Sequence, residues 1–200
     1  MPVLLLAIAF LLLIANGFFV GAEVAITASA GRRAELERAV KSGSRSARLA
    51  LASVQELSFM LTGAQLGITI CSLALGFVAE PAIADVLEAI VANRIEIEGG
   101  LLHAISGVIA LLIVVLFHMV IGEMAPKNIA IADPVRTLLW VAIPFRFYTN
   151  AMRGLLWILN ATANIIIRGF GVRPRDELAH AYTRDHIGSM LGELRRLGAI

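Results

Sequence analysis

Three long apolar stretches organise this 200-residue chain, at about residues 3–27, 57–79 and 101–124, and the polar residues inside them follow helical spacing. A helix needs about 20 predominantly apolar residues to cross the hydrocarbon core of a bilayer. The pattern therefore predicts three transmembrane helices. In the first, Asn16, Glu23 and Thr27 are seven and four residues apart and share one helical face. Gly17 and Gly21 form a small-xxx-small pair that lets another helix approach closely. In the second, Ser58, Thr62, Gln65, Thr69, Ser72 and Gly76 alternate spacings of four and three, which makes one polar stripe. Two readings of the stripe stay open. It is either a packing seam, helped by the close-approach pair Gly63 and Gly67, or the lining of an ion path around Gln65.

The third stretch runs into the segment His118 to Pro134, which carries Glu123, Pro126 and Lys127. An ionisable group at membrane depth is costly, so its default reading is a functional site facing protein or water. If the segment is α-helical, Pro126 cannot donate to the carbonyl four residues back, that of Gly122. A free carbonyl beside a carboxylate suits a small hard cation. The competing reading is a helix-end ion pair of Glu123 and Lys127 at a proline stop. His118, one turn before Gly122, reads as a packing residue, since oxygen ligands serve Mg²⁺-type ions better.

The connections set the topology. Arg32 to Arg48 is strongly basic and reads as a short amphipathic helix, a Ser42–Ser44 turn and a lead into the second span. Basic loops lie in the cytoplasm, which puts the amino terminus outside. The link from Pro81 to Gly100 is acidic and belongs outside. Ala28-Ser29-Ala30 resembles a signal-peptidase site, but no basic residue precedes the run and Glu23 lies inside it, so residues 3–27 read as a retained span. Two shorter apolar patches, Leu138–Tyr148 and Leu155–Ile167, have basic residues on both flanks. They read as juxtamembrane helices along the inner leaflet, with Trp140, Tyr148 and Trp157 at the interface. After a hinge at Gly171–Pro174, Thr183 caps a last amphipathic helix running to Gly198. Its apolar face lacks a partner within the chain, which reads as truncation before a further cytoplasmic domain.

The expected fold is thus an all-α membrane protein of three transmembrane helices with juxtamembrane amphipathic helices and a short cytoplasmic helical segment. The divisions are residues 1–134 for the three-span domain, 135–172 for the juxtamembrane helices and 173–200 for the start of a cytoplasmic bundle. Composition agrees: 58% of residues are hydrophobic, 16% are charged, and the mean hydropathy is +0.83. The net charge of +2 is spread around the apolar runs, with no basic stripe that would suit nucleic acid. Cys71 is the single cysteine, which excludes an internal disulfide. No His-Glu-x-x-His pair is present, and the chain is not expected to be an enzyme.

Three strings in the chain resemble the transmembrane module of the CNNM/CorC (hemolysin-C-like) magnesium transporters. They are NGFFVGAE from Asn16 to Glu23, QLGITICSLALG from Gln65 to Gly76 followed by Glu80-Pro81, and GEMAPK from Gly122 to Lys127 through Asp133-Pro134. The resemblance implies a homodimer in the bacterial inner membrane, a helical bundle, and a nucleotide-binding CBS module that this stretch of chain does not contain. It implies Mg²⁺ transport coupled to Na⁺ by alternating access, with Glu123 and the Gly122 carbonyl as ligands and Glu23 matching the acid of the first-span motif. Gln65, Thr69 and Asn16 are expected to complete a polar cavity, with Pro126 and Lys127 in support. Ala22 stands where family members carry serine, and Ala64 and Ile68 stand where they carry asparagines. A membrane scaffold that senses Mg²⁺ without transporting it is the alternative.

Overall fold

The computed structural model describes residues 2–92 and 99–170. Arg94, Glu96 and Glu98 of the acidic link, the hinge at Gly171–Pro174 and the helix expected from Thr183 lie outside the described residues. Every element among the described residues is helical. The elements are α1 (Pro2–Ala30), α2 (Arg33–Lys41), α3 (Arg45–Gln55), α4 (Leu57–Ala92), α5 (Gly99–Phe117), a π-helical turn (His118–Met124), α6 (Ala125–Ala132), α7 (Pro134–Ala151) and α8 (Arg153–Gly169). Three helical stretches are long and apolar enough to cross a membrane: Val3–Ala30, Leu57–Val91 and Gly99–Ala132. The protein is a multi-pass, all-α membrane protein.

Two of the three spans outrun the stretches read from the sequence. The second was expected to end near residue 79, at Glu80-Pro81, yet α4 continues through Pro81 to Ala92. Proline removes one backbone donor but does not force a stop where tertiary packing holds the helix. Ala79, Ala82 and Ala84 are buried there, with α4 packed along α5. The third was expected to end near residue 124, but the helical path runs through the π turn into α6. Pro126 sits in the first turn of α6, where a missing N–H is least costly.

α1 is the central element, packed against α4, α7, α6 and the π turn. The core divides into two apolar clusters. With the half of each span nearer the α2–α3 segment called the inner half, Ala9, Leu13, Leu75, Ala79 and Val114 join the outer halves. Ala22, Ile26, Met60, Ala64, Ala130, Leu138 and Phe145 belong to a larger cluster that joins the inner halves to α3 and α7. Gly63 and Gly67 earn their place in α4. A Cβ on Gly67 would lie 2.5 Å from the Phe19 ring, and one on Gly63 would lie 2.8 Å from Thr149 Cγ2 of α7.

The inner belt is locked by polar contacts as well as packing. Ser44 caps α3 by accepting from the Ala47 amide at 3.2 Å, after a turn in which Gly43 takes a φ of +89°. Asp133 caps α7 by accepting from the Arg136 amide at 3.3 Å, with Pro134 next in the chain. Pro144 and Arg146 lie inside a continuous α7. Arg146 forms a two-pronged ion pair with Glu56, its Nη1 at 2.8 Å from Oε2 and its Nη2 at 3.2 Å from Oε1. This ties α7 to the α3–α4 junction. Phe18, Phe19, Phe145 and Tyr148 pack as an aromatic group beside it, with Phe19 and Tyr148 centroids 4.8 Å apart. Burial pushes the Tyr148 phenol above its ordinary pKa, and the nearby Cys71 adds to the shift.

Gly67→Ala should destabilise the fold by about 1–3 kcal/mol through overpacking. Thermal unfolding in detergent checks this, and Phe19→Leu in the same chain should recover part of the loss in a double-mutant cycle.

Candidate cation site

The site is assembled from the three spans where their inner halves converge. α1 runs toward the basic α2–α3 segment, α4 starts from it, and α6 packs along α1, so these halves meet. An open cavity of about 460 Å³ lies there, lined by Asn16, Val20, Glu23, Val24, Thr27, Gln65, Ile68, Thr69, His118, Glu123 and Lys127. It gathers the sequence-selected Asn16, Glu23, Gln65, Thr69, Glu123 and Lys127 from separate helices. The shared face of Asn16, Glu23 and Thr27 is the face that α1 presents to it.

The chemistry of the lining is oxygen-rich. Glu23 and Glu123 bring two carboxylates against one ammonium, that of Lys127. Lys127 Nζ stands 3.3 Å from Glu123 Oε1, both side chains being roughly half exposed. An exposed pair of this kind is a weak bond, of the order of 1 kcal/mol or less, and yields readily to a competing cation. The Thr69 hydroxyl donates to the Gln65 carbonyl at 2.7 Å. Its hydrogen is thereby used, and its lone pairs stay available as acceptors. Among the described residues no group of three His, Cys, Asp or Glu side chains is placed to hold a metal ion. Any cation here would rely on one or two carboxylates plus neutral oxygens and water, which is the pattern Mg²⁺ tolerates best.

The third-span motif has an unexpected backbone. Residues His118–Met124 form a π-helical turn, closed by Ala125 N–H donating to Val120 O, five residues back. Such turns leave carbonyls out of the regular ladder and recur at functional sites. The Gly122 carbonyl was expected to be free, but it accepts from Asn16 Nδ2 at 2.9 Å, an interaction buried between α1 and the turn. Gly122 itself is buried and, unlike Glu123 beside it, is not among the residues that line the cavity. The Glu123–Lys127 ion pair foreseen at a helix stop does form, but the helix does not stop. Pro126 fits the groove of Gly17 and Gly21: a Cβ on Gly17 would lie 3.4 Å from Pro126 Cγ, and one on Gly21 would lie 3.9 Å from its Cβ.

The α4 stripe resolves into parts with different tasks. Gln65 and Thr69 face the cavity. Thr62 Oγ1 lies 3.0 Å from Asn160 Oδ1 on α8 and 2.9 Å from the Ser58 carbonyl, which makes it a packing contact. Gly76 has nothing near it. Ser72 bonds to Asn16 Oδ1 and to His118 Nε2, both at 3.1 Å. Ala22 and Ala64 are fully buried in the inner core, and Ile68 is the only one of those three departures to reach the cavity. The link of Ser72 and His118 was missed by reading each span alone. Counted from the ends of their helices at Ala30, Leu57 and Ala132, Asn16, Ser72 and His118 each lie about four turns in, a match hidden while the third span was read as ending near residue 124.

The family profile of the cyclin M transmembrane N-terminal domain matches residues 7–200. An uncharacterized protein of Mycobacterium tuberculosis (strain CDC 1551 / Oshkosh) is 40% identical over 186 residues, 93% of this chain and 52% of its own length. The Bacillus subtilis (strain 168) UPF0053 protein YhdT is 30% identical over 185 residues, 92% of this chain and 40% of its own. The chain thus spans about half the length, or less, of these curated relatives.

Asn16→Leu should strand the Gly122 carbonyl and cost about 1–3 kcal/mol of stability. A lowered unfolding temperature in detergent, larger than that of the lipid-facing Ile14→Ala, is the expected result.

Proposed function

The chain belongs to the cyclin M transmembrane domain family, and from that premise we propose that it carries a divalent cation, Mg²⁺, across the bacterial inner membrane by alternating access. The observation that supports this reading most is the single cavity in which carboxylates, an amide and a hydroxyl from three spans face one another. Glu123 supplies charge, and the Gly122 carbonyl, buried next to it and outside the cavity lining, is proposed as a backbone ligand on the family resemblance. Gln65 and Thr69 supply neutral oxygens from α4, and Glu23 supplies a second carboxylate from α1. Asn16 shapes the site through the Gly122 carbonyl. Retained water completes the six oxygens that Mg²⁺ prefers.

Lys127 has a role in this cycle. With no cation bound, its ammonium offsets Glu123. An arriving Mg²⁺ displaces it, so the site stays electrically tolerable in both states. Na⁺ as the coupling ion, a homodimeric assembly, an outside amino terminus and a cytoplasmic carboxy terminus complete the proposal. The partner module is a nucleotide-binding CBS pair attached beyond this stretch. The basic α2–α3 segment that joins the first two spans supports the orientation. The chemistry asked of these residues is binding and release, with no bond made or broken.

Uptake of Mg²⁺ into proteoliposomes tests the reading. Glu123→Gln should lower the flux at least about tenfold, because a neutral amide replaces the charge the dehydrated ion needs, and Gln65→Ala should raise the half-saturating Mg²⁺ concentration. Undiminished flux in both variants would sink the assignment. Binding of Mn²⁺ with no flux of any divalent ion would favour the sensing scaffold.

A further inference from the structure

Asn16, Ser72, His118 and Gly122 form one hydrogen-bonded chain between the two apolar clusters of the core. Its direction follows from elimination. The Gly122 carbonyl can only accept, so the Asn16 group 2.9 Å away must be its NH₂. A flipped amide would set two oxygens against each other. Asn16 Oδ1 therefore faces Ser72, and because it too can only accept, the single hydroxyl hydrogen of Ser72 is spent on it at 3.1 Å. Ser72 Oγ then has only lone pairs to offer His118 Nε2, also 3.1 Å away, and that nitrogen must carry a proton.

We infer that His118 is a positioning residue: it donates from Nε2 to Ser72, and through Ser72 and Asn16 it fixes the Gly122 carbonyl, and with it the turn that carries Glu123 into the cavity. The inference rests on the proposed cation site for its functional meaning, while its geometry stands apart from it. His118 acts across all three spans, since its donor reaches α4, Ser72 reaches α1, and Asn16 returns to the turn that carries His118 itself. The ring also packs against the backbone it helps to hold: a Cβ on Gly122 would lie 3.0 Å from His118 Cδ2. Without the Nε2 donor, Ser72 keeps its bond to Asn16 but loses its tie to the third span, and the hold on the carbonyl loosens. In this partly buried network, each bond polarises and orders the next.

The test combines a spectroscopic signature with conservative rescue, on the protein in nanodiscs. Long-range ¹H–¹⁵N correlation should place a proton on His118 Nε2. The Asn16 side-chain amide resonances should move in His118→Leu and stay near their native positions in His118→Gln, whose amide can donate from about the place of Nε2. Half-saturation by Mg²⁺ should weaken about tenfold in His118→Leu, with maximal flux retained, and return to within about threefold in His118→Gln. A neutral ring protonated on Nδ1, an Asn16 amide indifferent to His118→Leu, or a glutamine variant as impaired as the leucine one would each overturn the role. Should the native protein move no Mg²⁺ at all, the transport reading falls. The proton position and the Asn16 resonances still decide the role of His118.

Discussion

A backbone carbonyl inside a membrane must find a donor, and here the carbonyl of Gly122 finds it in a different helix. In water such a group would be solvated at little cost, whereas in hydrocarbon each unsatisfied group costs several kcal/mol. The π turn and Pro126 take Gly122 out of the regular ladder, and the Asn16 amide restores the missing bond. Much of the arrangement depends on that exchange. It places Asn16, otherwise an expensive residue in mid-span, at zero exposure. It also fixes the rotation of α1, and with it the face on which Glu23 and Thr27 lie.

The two apolar clusters then act as clamps above and below a polar layer. The outer one is small and built from the spans alone. The inner one recruits α3 and α7, with the Arg146–Glu56 pair sealing the belt. Removing either partner of a partly buried pair would leave a charge poorly solvated, so the pair serves to specify one docking geometry more than to add stability. The cavity opens beside this rigid assembly, which lets a weakly paired Glu123 sit in a well-defined frame.

How far the sequence spoke depended on the range of the interaction. The existence of three spans was plain, because a long apolar run admits few other structures in lipid. Their lengths were not: Pro81 and Pro126 read as stops, while the buried Ala82 and Ala84, and Gly17 and Gly21 against Pro126, carry the helices through. The face shared by Asn16, Glu23 and Thr27 was legible from spacing, since a helix fixes it locally. The bond from Asn16 to Gly122 joins residues 106 apart, and no local periodicity encodes such a pairing. His118 was set down as packing for the same reason, its partner Ser72 being 46 residues away.

The seat that Gly17 and Gly21 provide for Pro126 makes three positions on two helices a single unit of variation. A side chain larger than a methyl gained there on α1 would push the proline, and with it the π turn, away from the Asn16 amide. A homologue that loses the proline would no longer need the glycines, and would no longer need the asparagine either. Through that fit, a chemical decision taken at one residue of the third span is recorded in the composition of the first.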